Sequence, residues 1–305
     1  MSFKTPVLFL VFNRLDTTQQ VFQRIREIKP IQFYIACDGA RENKSSEKKD
    51  IEKVRQYILE NIDWHCEVKT LFREQNLGCK LAVSSAIDWF FENEEQGIIL
   101  EDDCLPSKSF FYFCQENLEQ YKNDLRIWHV AGYRYPGLKK ISKSYDFSRF
   151  TQVWGWASWR SRWKHYDVTL EKYKKHPNIL RDLSFFEQKD ANQSRADVLS
   201  RVVDGEINTW DYQWNFCVRI NNGLAIRPSQ NLVRNIGFNE QATHTFDEEL
   251  SIVNNQELEI EFPLSHPEFI MSSKIIDDEF FKKFGKTSLY KKIIRKLRNI
   301  SYVKN

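Results

Sequence analysis

The amino-acid sequence predicts an α/β fold with a mostly parallel central sheet, followed by an amphipathic helical tail. In residues 1–130, apolar runs of strand length alternate with segments whose apolar residues recur at helical spacing, an order typical of a parallel sheet. The 305-residue chain is 41% hydrophobic and 29% charged. This composition is that of an ordinary globular protein, and the length suffices for one large domain with a substantial core.

Nine elements are predicted in this first part of the chain. The run 6–13 (PVLFLVFN) is continuously apolar, as buried parallel strands are. After it, Val21, Ile25 and Ile28 fall on one face of a helix over 17–28. The remaining elements, in order, are strand 32–39, helix 47–62, strand 66–74, helix 81–92, strand 97–103, helix 106–124 and strand 126–133.

The chain changes character after residue 130. Four tryptophans fall within ten residues of one another between positions 154 and 163, in the segment VWGWASWRSRW. The elements predicted after them are a polar helix around 179–203, a helix around Trp214 and Val218 that ends at Asn222-Gly223, and a short strand at 224–228. Over residues 247–269 we expect short extended pieces.

We predict a single domain in two halves, residues 1–130 and 131–262, with a C-terminal tail at 263–305. The last twenty residues, 286–305, contain seven lysines and arginines and no acid. Their apolar residues repeat at helical spacing, at Leu289, Ile293 and Leu297. Two interpretations stay open: a basic helix that contacts an anionic membrane surface, or a helix packed on the domain with its basic face in solvent.

Charge and cysteine usage exclude several classes of protein. A net charge of only +3 argues against a general nucleic-acid-binding protein. The apolar run near the N-terminus is too short to span a bilayer, and it lacks a small-residue cleavage site. The six cysteines form no CxxC pair, so we expect reduced thiols in a cytoplasmic protein.

Polar residues lie at, or directly after, the carboxyl ends of three of the predicted strands. Asn13-Arg14 follow the first strand, Asp38-Gly39 the second, and Glu101-Asp102-Asp103 the fourth. In open α/β sheets, ligands bind outside the carboxyl ends of the strands. A strand that merely ended in solvent would account for one acidic run, but not for three polar ends at the same edge.

The acidic run fits a site for a hard divalent cation. Mg²⁺ and Mn²⁺ take one or two protein carboxylates and fill their other positions with substrate phosphates. Alternate residues of an extended segment point to opposite sides, so Glu101 and Asp103 share a side while Asp102 faces the other, toward a group such as a ribose hydroxyl. The alternative is a solvated strand end without a ligand.

The segment GIILEDDCLPSKSFFYF resembles the metal-binding segment of nucleotide-sugar-dependent glycosyltransferases with the GT-A fold, most closely the β-1,2-N-acetylglucosaminyltransferase I type. The resemblance covers roughly residues 3–250. It implies a Rossmann-like GT-A domain in which Arg14 contacts the nucleotide, Asp38 reads the uracil and Trp156 lines the sugar site. The segment TWDYQW then falls where the family carries its catalytic carboxylate, and IRPSQNLVRNIGFNEQATH resembles the family's tail segment.

Two departures from the family pattern stand out. The acid pair near the catalytic helix is not intact, because Tyr212 and Gln213 follow Asp211. We expect the membrane-anchoring N-terminus of the eukaryotic enzymes to be absent, and a basic C-terminal tail appears instead.

The following roles are predicted from this framework. Asp103 is a metal ligand, and His244 is either a second metal ligand or a phosphate contact. Glu101 holds the sugar and Asp102 holds the ribose. Because the sugar is the group transferred, Glu101 is counted among the catalytic residues. Asp211 is the general base, with Glu206 as the fallback and a simple helix N-cap as the structural alternative. The diphosphate and nucleotide contacts are assigned to Arg227, Arg234 and Lys80.

The predicted function is metal-dependent, inverting transfer of a GlcNAc-like sugar from a UDP-sugar to a hydroxyl of a glycan or lipid-linked glycan in cell-envelope polysaccharide biosynthesis. The first alternative is a sugar-nucleotide nucleotidyltransferase, although such enzymes carry a glycine-rich phosphate loop where this sequence reads NRLDTTQQ. The second is a non-catalytic carbohydrate-binding or membrane-associated module. A glycoside hydrolase using Glu101 and Asp211 would leave Arg14 and Asp38 unexplained.

Overall fold

The computed structural model describes residues 3–44, 46–182, 189–237 and 256–280. Its first elements are β1 (Val7–Val11), α1 (Leu15–Ile28), β2 (Gln32–Cys37), α2 (Glu47–Asn61), β3 (Glu67–Phe72), α3 (Gly78–Asn93), β4 (Gln96–Glu101), β5 (Cys104–Pro106), α4 (Lys108–Tyr121) and β6 (Ile127–Ala131). The later ones are β7 (Tyr145–Ser148), β8 (Trp156–Trp159), α5 (Arg160–Trp163), α6 (Glu171–Lys175), α7 (Ile179–Asp182), α8 (Lys189–Val203), α9 (Asp211–Ile220), β9 (Leu224–Pro228), β10 (Val233–Asn235) and α10 (Lys274–Phe280).

The α/β class and all nine predicted elements of the first part are confirmed. The central sheet has eight strands in the order β3-β2-β1-β4-β8-β6-β9-β7. Strands β1 to β4 are parallel to one another, but β8 runs antiparallel to both of its neighbours and β7 runs antiparallel to β9. The sheet is therefore mixed. Strands β7 and β8 run against the other six strands of this sheet, so the predicted mostly parallel arrangement holds with two antiparallel strands added. The antiparallel strands are four residues long, too short to show a strand period in the sequence.

The strand order reverses at β1. Its neighbour on one side is β2 and on the other side is β4, so the connections after β1 and β4 leave in opposite directions. Such a switch point leaves a crevice at the carboxyl ends of the strands, which is where open α/β sheets bind ligands. Arg14 follows β1 and Asp102 follows β4, and both therefore lie at this crevice.

A second, two-stranded sheet fixes the segment after β4. Strand β5 pairs antiparallel with β10, with Cys104 opposite Asn235. The Ile236 amide donates to the Asp103 carbonyl oxygen at 2.8 Å. The turn at Asp102-Asp103 is thus held between β4 on one side and β5 on the other, which limits the conformations of both acids.

Apolar side chains pack on both faces of the central sheet. On one face, β1 and β2 contribute rings such as Phe9 and Phe33, whose centroids lie 6.5 Å apart. On the other face, Trp156, Trp163 and Trp214 form a continuous cluster of fully or almost fully buried rings. Large buried aromatics contribute most of the burial free energy per residue in such cores. The tryptophan-rich segment thus belongs to the core of the sheet.

The chain forms two compact units. The first takes the described residues within 1–168 and 208–273 and contains the eight-stranded sheet, to which both predicted halves contribute strands. The second takes the described residues within 169–207 and 274–280. In it the buried Tyr173 donates to the Ala196 carbonyl oxygen at 3.1 Å, which ties α6 to α8. Among the described helices, none is long and apolar enough to cross a membrane. The segment 286–305 lies outside the described residues.

Candidate active site

A cavity of about 410 Å³ opens at the carboxyl ends of β1, β2, β3 and β4. It lies at the switch point, where the strand order predicts a ligand site. Its polar lining includes Arg14, Asp38, Arg73, Glu101, Asp102 and Asn208. Four of these six residues were predicted to be site residues, and the structure brings those four into one cavity.

Arg14 is held by two of the three acids that follow β4. Its Nη2 donates to Asp102 Oδ1 and, at 3.0 Å, to Asp103 Oδ2. The Phe12 amide donates to the other Asp102 oxygen at 3.3 Å. Burial by itself lowers the pKa of Arg14, but the two carboxylates outweigh it and raise that pKa. The guanidinium therefore stays charged and joins the end of β1 to the end of β4.

The pKa values of Glu101 and Asp102 are both raised. Burial, with the neighbouring Asp103 and Asp102 carboxylates, raises the pKa of Glu101 to about 8. Burial also raises the pKa of Asp102 to about 6, although Arg14 opposes that shift. The raised pKa favours the protonated form of Glu101 in the ligand-free protein. A protonated carboxyl can donate a hydrogen bond, for example to a sugar hydroxyl.

Asp103 lies at the outer side of this cluster, close to Gly237. A Cβ atom at Gly237 would lie 2.3 Å from Asp103 Oδ2 and 2.7 Å from Arg14 Nη1, so only glycine fits there without displacing the ion pair. Within the described ranges, no group of three or more His, Cys, Asp and Glu side chains could hold a metal ion. His244, the predicted second ligand, lies outside the described residues.

Asp38 is tied to the N-terminus of α3. Its Oδ1 accepts a hydrogen bond from the Leu77 amide at 3.1 Å, and its Oδ2 accepts from the amides of Leu77 and Gly78 at 3.0 and 3.1 Å. It is 8% exposed and lines the cavity. These bonds orient the carboxylate at the end of β2 and leave Oδ1 with more free acceptor capacity than Oδ2. Whether Asp38 reads a base stays a prediction.

The loop before α9 also reaches the cavity. Asn208 Oδ1 accepts a hydrogen bond from the backbone amide of Lys80 at 3.0 Å. This bond places the loop against the first turn of α3. Lys80 is therefore at the helix start where it was expected, although no contact of its side chain tests the predicted nucleotide role.

Asp211 is the first residue of α9 and is half-buried. Its Oδ1 accepts a hydrogen bond from the Thr209 hydroxyl, while Trp210 occupies the N-cap position without a side-chain cap. Asp211 therefore differs from the helix N-cap of the structural alternative. Its charge contributes to raising the pKa of both Glu101 and Cys79, so it lies near enough to act on the cavity.

Two predicted ligand residues, Trp156 and Arg227, are engaged elsewhere in the fold. Trp156 is fully buried, with its ring 5.0 Å from that of His129 and 5.6 Å from that of Trp210, and has no face left for a sugar. Arg227 is 4% exposed and makes a two-pronged ion pair with Asp146 at 2.8 and 2.9 Å. We correct both assignments, because Trp156 is enclosed in the core and Arg227 is paired with Asp146.

Arg234 and Glu206 are also paired outside the cavity lining. Arg234 Nε lies 2.9 Å from Glu257 Oε2. Glu206, the fallback base, belongs to the second compact unit, where its Oε2 lies 2.9 Å from Arg201 Nε.

Sequence reasoning missed several cavity residues, among them Arg73 and Asn208. Arg73 directly follows β3, and the strand-end rule that identified Arg14 and Asp38 would have selected it as well. Asn208 carries no comparable signal. It reaches the cavity only because the loop before α9 folds back onto α3, which depends on tertiary packing.

Neither a family model nor a curated protein matches this chain. Among solved structures, HddC from Yersinia pseudotuberculosis is 11% identical over 53% of this chain and 80% of its own, with a TM-score of 0.34. The 4-diphosphocytidyl-2C-methyl-D-erythritol synthase from Anaerococcus prevotii is 12% identical over 59% and 84%, with a TM-score of 0.33. A cytidylyltransferase from Leptospira borgpetersenii is 10% identical over 83% and 98%, with a TM-score of 0.34.

With identities of 10 to 12% and TM-scores no higher than 0.34, these likenesses carry no argument about the reaction.

Proposed function

We propose that this chain is a glycosyltransferase that moves a sugar, GlcNAc-like, from a UDP-sugar to a hydroxyl group of a glycan. The observation that carries the proposal is the placement of Arg14, Glu101 and Asp102 in one cavity at the switch point of the sheet, with the charge of Asp211 acting on Glu101. This arrangement provides acids for a donor nucleotide and a separate acid for the acceptor.

The proposed donor lies with its diphosphate at the end of β4. Asp102 accepts from the ribose, and Asp103 would hold a Mn²⁺ or Mg²⁺ ion together with the substrate phosphates. A single protein carboxylate fits this mode of binding, since Mg²⁺ in particular keeps most of its positions for water and phosphate. When bound, the ion supplies positive charge that stabilises the departing diphosphate. His244 is proposed as a further ligand.

Asp211 is the proposed base of the reaction. It takes the proton of the acceptor hydroxyl while that oxygen forms a bond to the anomeric carbon of the sugar. The bond from this carbon to the diphosphate breaks, and its electron pair leaves on the diphosphate oxygen. Glu101 in its protonated form donates a hydrogen bond to the sugar and holds it in line between acceptor and leaving group.

Nucleotidyl transfer would use the same cavity and is the competing function. The turn after β1 argues against it, because the chain passes from Phe12 through Arg14 directly into α1 without a glycine. Arg14 is already bound to two carboxylates rather than presented to a triphosphate. This turn offers no glycine-rich loop whose amides could cradle phosphates.

The two functions release different products. We expect the protein, incubated with UDP-sugars, Mn²⁺ and glycan acceptors, to release UDP and extend the acceptor. With a nucleoside triphosphate and a sugar 1-phosphate, we expect no pyrophosphate. Pyrophosphate release with formation of a nucleotide sugar would contradict the proposal and establish the competing function instead.

The acceptor and the cellular location are also proposed. A glycan or lipid-linked glycan of an envelope polysaccharide would be extended in the cytoplasm, at the inner face of the membrane. Support comes from the basic composition of residues 286–305, which suits an anionic lipid surface.

A further inference from the structure

Arg73 occupies a distinct position in the cavity. It follows β3 directly, and its backbone amide donates to the Cys37 carbonyl oxygen at 3.0 Å, which continues the pairing of β2 with β3. Arg55 of α2 donates to the carbonyl oxygens of Arg73 and Asp38, at 2.7 and 3.1 Å. The ends of β2 and β3 are therefore held in a fixed relation, and the half-buried Arg73 side chain lines the cavity beside Asp38.

Arg73 differs from the other arginines of the cavity lining. Arg14 is paired with two carboxylates, and Arg41 is paired with Glu47. Arg73 Nη2 donates to the neutral Ser85 hydroxyl at 2.8 Å, and among the described residues no carboxylate lies within ion-pair distance of it. A guanidinium has five N–H donors, so most of those of Arg73 are available to a ligand.

The position of Arg73 in the sheet determines which part of a donor it would meet. From β4, which carries the acids, the sheet order passes through β1 and β2 to β3. Three strand spacings correspond to about 14 Å. With the diphosphate at the acids of β4, the far end of a nucleoside diphosphate, its base, would lie over the ends of β2 and β3.

The local chemistry favours a base over a second phosphate. Burial lowers the pKa of Arg73, and the nearby Asp38 charge opposes this shift, so the two side chains are within electrostatic reach. A phosphate beside the Asp38 carboxylate would be repelled. A base that offers carbonyl oxygens to Arg73 and one N–H to Asp38 would satisfy both, and uracil has two carbonyl oxygens flanking one N–H.

We infer that Arg73 determines the base specificity of the donor, by donating hydrogen bonds to a carbonyl oxygen of a uracil base. The inference rests on the proposed function, since it places the donor by its diphosphate. Adenine has no carbonyl oxygen, so Arg73 gains no partner from an adenosine nucleotide and keeps an unsatisfied, partly buried charge.

The test compares binding of UDP and ADP to the full chain by titration calorimetry, at fixed Mn²⁺ and salt concentrations. For the wild type we expect tighter binding of UDP. In Arg73→Met, UDP binding should weaken by about 10- to 100-fold, while ADP binding changes by less than about threefold. Arg73→Gln keeps an uncharged N–H donor and should retain part of the preference. Arg26→Gln, at a surface ion pair with Asp63, is the matched control.

The outcomes separate the inference from the function. If Arg73→Met lost affinity for UDP and ADP equally, and this loss grew at low salt, Arg73 would bind phosphate. That result would overturn the inference but not the proposed function. Unchanged selectivity in Arg73→Met would also overturn the inference alone. A wild-type protein that binds no nucleotide would overturn the proposed function and the inference together.

Discussion

At the scale of single residues, the site is governed by how burial changes the acids. Glu101, Asp102 and Asp103 stand in sequence, but only Asp102 is bound by both Arg14 and a backbone amide. Burial and the neighbouring carboxylates raise the pKa of Glu101, and among the described residues no hydrogen bond from Arg14 or a backbone amide opposes the rise as it does for Asp102. The pKa of Glu101 is therefore raised more than that of Asp102. The adjacent acids Glu101 and Asp102 thus differ in the size of their pKa shifts because of their positions around one turn.

The raised pKa of Glu101 predicts a stability effect with a definite sign. Its pKa is about 8 in the folded protein against 4.5 as the ordinary value, so the folded state binds the proton more tightly. Stability therefore falls as the pH rises from about 4.5 to 8. In Glu101→Gln, which mimics the protonated acid, we expect a higher melting temperature than wild type at pH 8, and a difference that shrinks toward pH 4.5. A lower melting temperature at pH 8 would contradict this account of Glu101.

Asp211 is predicted to act in turnover rather than in donor binding. In Asp211→Asn, kcat should fall by at least about 100-fold because the proton acceptor is lost, while UDP-sugar affinity stays within about threefold. The measurement is UDP release, with nucleotide affinity from calorimetry. Glu206→Gln serves as the matched control and should keep wild-type turnover. Should Asp211→Asn retain full activity, Asp211 is not the base.

At the scale of elements, close contact between strand ends shapes the cavity. Gly39, just after β2, lies against the backbone that follows β3. A Cβ atom there would be 2.4 Å from the Gln75 carbonyl carbon and 2.5 Å from the Glu74 oxygen. The contact is with backbone atoms, which cannot rotate out of the way. A side chain at position 39 would therefore fit only if the ends of β2 and β3 moved apart. Such a movement would separate Asp38 from Arg73.

We predict that Gly39→Ala weakens both folding and nucleotide binding. The free energy of unfolding should fall by about 1–3 kcal/mol, the usual effect of overpacking. Denaturant unfolding and UDP calorimetry measure the two effects. Gly205→Ala is the control, since no atom lies within 4 Å of its added Cβ and only its φ of +79° causes strain. It should lose stability but keep wild-type nucleotide affinity. Wild-type binding by Gly39→Ala would refute the proposed role of this contact.

Long elements could be predicted from the sequence, whereas short ones could not. Strand β1 and helix α1 carry continuous or periodic apolar patterns over their length, and both were found. Strands β5, β7, β8 and β10 have three or four residues, too few for a period, and their burial depends on partners distant in the chain. Two of them, β7 and β8, are the antiparallel strands of the central sheet, and neither was predicted.

At the scale of the whole molecule, strand order explains which site residues were predicted correctly. Arg14, Asp38, Glu101 and Asp102 follow long strands whose position in the sheet the sequence indicates, and all line the cavity. The roles of Trp156 and Arg227 depended on partners that only the fold supplies. From sequence alone, a tryptophan-rich segment is equally consistent with a sugar-binding surface and with a buried core. Arg227 lies beside Asp146 only because β7 pairs with β9.

The central claim is that the acids after β4 bind a nucleotide through a divalent cation. The most direct measurement is calorimetric titration of UDP into the wild-type chain and into Asp103→Ala, each with and without Mn²⁺. We predict that the wild type binds UDP at least about tenfold more tightly with Mn²⁺, and that Asp103→Ala loses this dependence while keeping its fold by circular dichroism. Equal affinity with and without Mn²⁺ in the wild type, or a full Mn²⁺ effect in Asp103→Ala, would contradict the account.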